Sequence, residues 1–158
     1  MIPTTVFAII KLILLLTFAS MGYIAWQHKR KISLDQLAKD LNPANYDDMD
    51  FVACMPPEND DVLQALIRRL LKEPADAWKL RRNATLLLQA THRMDRVLTG
   101  EASDILQRAR EAAFQVQRES RLVEAELHEK QQCLHGQSLI RAYIRMSDAI
   151  TYLAEIAG

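Results

Sequence analysis

Glycine and proline are scarce, with four and five copies among 158 residues. That scarcity argues against a turn-rich β architecture or a flexible low-complexity chain, since both need these residues to break regular structure. Cysteine is nearly absent. Cys54 and Cys133 lie far apart, and two thiols do not make a disulfide framework. Charge of one sign is lacking as well, because 20 basic residues face 20 acidic ones. A balanced total argues against a general nucleic-acid or acidic-surface binder. No unit recurs at a fixed period, which argues against a solenoid. What remains is rich in Ala, Leu, Arg, Gln and Glu, all strong helix formers. The expected fold class is all-α: a single N-terminal transmembrane helix followed by a small antiparallel helical bundle of three long helices and one short one.

The first 27 residues differ from the rest. Thr4 to Trp26 carries one charge, Lys11. At about 1.5 Å rise per residue, such a helix covers a hydrocarbon core of about 30 Å. Tyr23 and Trp26 suit the headgroup zone, and Lys29, Arg30 and Lys31 follow at once. A cleaved signal peptide fits less well, because no Lys or Arg precedes Lys11 and no A-x-A cleavage pattern follows the apolar run. Basic residues after the span and none before it predict a single-pass membrane protein with the N-terminus outside and the C-terminal domain cytoplasmic. Lys11 is expected to snorkel to the outer headgroups or to pair with an acid on a partner's helix.

Residues 28–59 are expected to hold an amphipathic helix and an acidic loop; the helix either continues the N-terminal one, since no Gly or Pro lies between Tyr23 and Asn42, or starts anew at a capping box of Ser33 and Gln36. Leu34, Leu37, Ala38 and Leu41 form one apolar stripe, expected to cover the bundle or a partner rather than lie on a membrane surface. Pro43 ends that helix. Asn42 to Asn59 lacks helical periodicity and reads as a loop, acidic at Asp47, Asp48 and Asp50.

Residues 60–158 are expected to form the bundle. Asn59 caps a short helix with Leu63, Leu66, Ile67 and Leu70 on its apolar face. Pro74 opens the next helix, which runs to about Thr99 along the seam Ala77, Leu80, Ala84, Leu87, Thr91, Met94 and Leu98, with Gly100 as its stop. The third helix starts near Ser103 and reaches about Leu134 along Leu106, Ala109, Ala113, Val116, Ser120, Val123, Leu127, Lys130 and Leu134, with Ser120 and Lys130 as interruptions. Gly136 closes it. The last helix, from about Ser138, shows Leu139, Tyr143, Met146, Ile150 and Leu153. Alternating spacings of three and four and short turns predict helices folded back on one another.

Enzyme motifs are missing. There is no Gly-rich phosphate loop, no G-x-S-x-G and no C-x-x-C. His128-Glu129 begins like a zinc-protease helix, but Gln132 stands where the second histidine is required. His128, Cys133 and His135 gather near a helix end without the spacing to converge on a metal. No catalytic residue, cofactor or metal is expected. Basic residues on the first two bundle helices include Arg68, Arg69, Arg81 and Arg82. With Lys11, Lys29, Arg30 and Lys31 they are the candidate contacts to lipid or to an acidic protein. Nucleic acid is not an expected partner, for want of a motif or an aromatic platform beyond Trp78. The expected function is a membrane-tethered scaffold or adaptor that binds a partner protein at the cytoplasmic face. Self-association is open, and the alternative is an extracytoplasmic sensor or envelope-bridging bundle.

Overall fold

The computed structural model describes the backbone of residues 4–57, 60–92, 94, 98–130 and 132–156, with side chains described for all of these except 4–10, 12, 25–33 and 60. Among the described residues six helices follow in order: α1 (Thr4–Leu41), α2 (Tyr46–Cys54), α3 (Asp60–Leu70), α4 (Pro74–Thr91), α5 (Glu101–His128) and α6 (Gly136–Ile156).

The expected membrane span is corrected. Among the described residues no helix is long and apolar enough to cross a membrane. Nor does the helix stop at residue 27. It continues unbroken to Leu41 and delivers its last turns to the body of the protein. The single-pass placement, with its outside N-terminus and cytoplasmic bundle, falls with the span that carried it.

The α5 helix is the spine of the body, flanked by α4 and α6. Arg81 and Thr85 of α4 meet Glu124 and Gln117 of α5, whereas Thr91 meets Arg110. Numbers that fall on one helix as they rise on the other mark an antiparallel pair. The same holds for α5 and α6, where Glu101 meets Tyr152 and Glu126 meets His135. Leu106, Ala109, Ala113, Val116 and Val123 of α5 are buried against Leu139, Tyr143, Met146, Ile150 and Leu153 of α6. Alanine in this seam lets the backbones approach closely.

The core extends beyond residues 60–158. Leu34 and Leu41 of α1, and Met49 and Val52 of α2, share it with Leu63, Ile67 and Leu71. Pro43 follows the end of α1 as expected, but part of the expected acidic loop is helix α2. Its C-terminal carbonyls are satisfied from α6 rather than locally. Gln137 Nε2 donates to Val52 O at 3.1 Å and Met55 O at 2.8 Å, and Arg141 donates to Ala53 O at 2.6 Å and Met55 O at 3.0 Å.

Two helices end earlier than their seams suggest. The α4 helix stops at Thr91, whose hydroxyl bonds back to Leu87 O and whose carbonyl accepts from the Arg110 guanidinium. Gly100 stands directly before α5 with φ +60°, a conformation that suits glycine. The α5 helix ends at His128, and Lys130, with φ +55°, lies beyond it in the left-handed region. Leu134 is exposed in the connecting turn rather than on the seam. The expected cap Asn59 lies outside the described residues.

Candidate functional site

The expected basic contacts with described side chains stand in different surroundings. Arg69 reaches back to Asp48 of α2 at 2.6 Å, an exposed pair that contributes little to stability. Arg81 pairs with Glu124 across α4 and α5 at 3.0 Å, with only about a quarter of either side chain exposed. Two of the four bundle arginines are thus engaged within the chain. Arg82 is exposed, and its guanidinium lies 5.6 Å from the Trp78 ring centre, within cation–π range. Arg68 is exposed on α3, and Lys11 is exposed on α1. The side chains of Lys29, Arg30 and Lys31 lie outside the described residues.

The most exposed apolar surface is on α1. Ile13, Leu14, Leu15 and Leu16 are consecutive and all exposed, as are Phe18, Met21, Tyr23 and Ile24. Four successive residues sweep a full helical turn, so the helix is apolar on every side here rather than along one stripe. Leu15 at 69% and Phe18 at 73% exposure show how little of this stretch the body covers. Thr17 and Ser20 satisfy their hydroxyls on the backbone of the same helix, through Leu14 O and Thr17 O. The stretch therefore presents few polar demands to whatever covers it.

A polar cluster lies where α1, α4 and α6 meet. Tyr143 is 1% exposed. Its hydroxyl donates to Leu41 O at 2.8 Å and accepts from Asn83 Nδ2 at 2.8 Å. Burial pushes the phenol above its ordinary range, and the Asn83 bond only partly offsets this. Tyr143 is therefore a neutral structural tie, and Asn83, the first residue of a glycosylation sequon, is occupied holding it. Nearby, burial raises the Asp76 carboxyl, but the Glu73 amide, Lys79 and the Lys72 amide outweigh it and hold it below its ordinary 3.8. That carboxylate caps the start of α4.

In the histidine and cysteine cluster, His135 turns to a carboxylate of α5. His135 Nδ1 lies 2.5 Å from Glu126 Oε1, and burial, then Glu126, pushes the Cys133 thiol up and keeps it protonated. Among the described residues no group of three or more His, Cys, Asp or Glu side chains is placed to hold a metal.

Sequence reasoning missed a trough between α5 and α6. Two hollows of about 510 and 440 Å³ share Arg108, Asp148 and Ala149 and run into one another. The available signal was the polar stripe Glu101, Asp104, Arg108, Glu111 and Gln115, which follows the apolar seam at the same spacing. Comparison with family models, curated proteins and solved structures gives no match for this chain.

Proposed function

We propose that the chain is a helical adaptor. Its packed body grips the C-terminal end of α1 and offers the apolar stretch 13–24 to a partner protein, with exposed Arg68 and Arg82 as accessory contacts. The exposure of consecutive apolar residues Ile13 to Leu16 carries this reading. Large exposed apolar patches on otherwise well-packed proteins mark interaction sites. Burying a Leu or Phe side chain is worth about 1.5–3 kcal/mol, so a partner gains considerably by enclosing this helix. The absence of a catalytic motif in the sequence favours an adaptor over an enzyme.

Tagged full-length chain, crosslinked and recovered in mild detergent, tests the proposal against the double variant Leu15→Gln/Phe18→Gln. A stoichiometric partner protein is expected with the wild type. Its recovery should fall at least about tenfold with the variant, given the burial energy of two such side chains. Recovery of the chain alone, of the chain with lipid only, or of equal partner with both forms refutes it.

A further inference from the structure

The charges that flank the apolar stretch of α1 are of one sign. Residues 1–34 hold four bases, Lys11, Lys29, Arg30 and Lys31, and no acid. Asp35 is the first carboxylate, four positions after Lys31, and one carboxylate neutralises one of the three bases there. About 27 Å of helix separates residue 11 from residue 29. Leu34, at 1% exposure, fixes α1 in the body about 15 Å beyond residue 24. The exposed stretch 13–24 therefore lies between a base at one end and a basic cluster at the other. Resting on the adaptor reading above, we propose that the partner of α1 is a protein whose apolar helical groove carries carboxylates at both ends, about 27 Å apart.

A second copy of α1 does not meet this demand. Laid parallel, two such helices set Lys11 beside Lys11 and one basic cluster beside the other. Laid antiparallel about residue 20, they set each Lys11 against the basic cluster of the other chain. Both arrangements bring like charges together, which costs affinity. The acid-rich α2 of a second copy fits no better. It has nine residues, about 14 Å of helix, and is shorter than the stretch it would cover. Its Asp48 and Asp50 already accept from Arg69 and Cys54, and Phe51 is the large apolar side chain it exposes. An anionic bilayer surface supplies the charge but covers one side of a helix lying on it, whereas Ile13 to Leu16 are exposed around a full turn. A groove of two or more helices encloses more of that turn and holds its acids at fixed positions.

Two designed helical hairpins test this. They share a leucine-lined face and carry either glutamates or lysines at both ends. Full-length chain is titrated into each labelled hairpin and binding is followed by fluorescence anisotropy at low salt. The glutamate hairpin should bind at least about tenfold tighter than its lysine twin, and the gap should narrow in about 0.5 M salt, where exposed charges are screened. Lys29→Glu/Arg30→Glu/Lys31→Glu should reverse the preference. Lys11 is exposed, so Lys11→Glu alone gives a second readout that leaves the packing of the body untouched; it should cut the preference by about threefold or more. Equal affinity for the twins, a preference that survives both sets of charge reversals, tighter binding to vesicles of phosphatidylserine and phosphatidylcholine than to the glutamate hairpin, or dimers formed through α1 in sedimentation equilibrium overturn the proposal. Leu15→Gln/Phe18→Gln should weaken both hairpins alike. Equal affinities that this variant abolishes sink the charge inference and leave the adaptor reading standing; hairpins bound as tightly by the variant as by the parent sink both.

Discussion

Replacing Tyr143 with phenylalanine removes one oxygen atom and two hydrogen bonds from the junction of α1, α4 and α6. The ring keeps its place among buried neighbours, so the hydrophobic contribution is nearly unchanged. Leu41 O, at the C-terminal end of α1 where no intrahelical donor is available, loses the 2.8 Å donor that serves it. Asn83 Nδ2 loses its acceptor at 2.8 Å. A net hydrogen bond is worth about 0.5–1.5 kcal/mol, and a buried group left unpaired costs about 1–3 kcal/mol. Asn83 is half-buried and can turn to water, which places its share at the low end. The Leu41 carbonyl is on a buried residue and bears more. The total is about 2 kcal/mol. With a urea slope of roughly 1–3 kcal/mol/M, the midpoint should fall by about 1 M. Urea titration followed by circular dichroism and Trp78 fluorescence measures it. A loss under about 0.5 kcal/mol would mean that the hydroxyl is not a tie between α1 and the body, and the argument would fail.

Arg141→Ala removes the guanidinium that serves Ala53 O and leaves Met55 O with only Gln137. It should cost about 2 kcal/mol, since charged donors are worth about 1.5–3 kcal/mol each, and limited proteolysis should cut sooner near Met55. Gly136→Ala drives a new Cβ into Ile67 Cγ2 and to 3.3 Å from Cys133 Cβ. Overpacking of this kind costs about 1–3 kcal/mol, read as a lower melting temperature, and with Ile67→Ala the two losses should add to less than their sum because the double variant relieves the clash. Asp76, whose carboxyl is held below 3.8, contributes stability that is present above that pH and lost as pH falls through its folded value. Asp76→Asn should therefore be less stable than the parent at neutral pH, with the gap closing below about pH 4 in acid titration.

The helical seams were readable because burial follows spacing. Ala77, Ala84, Leu87, Thr91 and Met94 are buried as their positions predict, as are Leu106, Ala109, Ala113, Val116 and Ser120. Pro43 and Pro74 mark boundaries because their backbones permit little else, whereas Gly136, expected to close the third helix, opens α6, and α5 ends already at His128. Lys130 looked like a flaw in the α5 seam; it is the residue that turns the chain after the helix ends. The α2 helix was not readable. It spans nine residues, opens with Asp47 and Asp48, and buries only Met49 and Val52. Its end is closed by Gln137 and Arg141, more than eighty positions away, and no local pattern announces that. The ion pairs of two basic residues were unreadable for a similar reason. Sequence places Arg69 and Arg81 near other cations, but only the fold shows Asp48 and Glu124 within their reach. The apolar character of residues 13–24 was plain from composition, and the lack of Gly and Pro from Tyr23 to Asn42 left room for the single unbroken helix that α1 forms.

The guanidinium and amide donors that α6 extends over the end of α2 make one helix conditional on the other. A nine-residue helix is too short to persist alone in water. The segment from Tyr46 to Cys54 thus gains its shape only after a stretch of sequence made much later in synthesis has coiled and arrived. Until then Met49 and Val52 have no α6 to lie against, and the nascent protein must carry them uncovered. Helix α6 is consequently the keystone of an arch, and removing it should unmake structure more than eighty positions earlier in the chain.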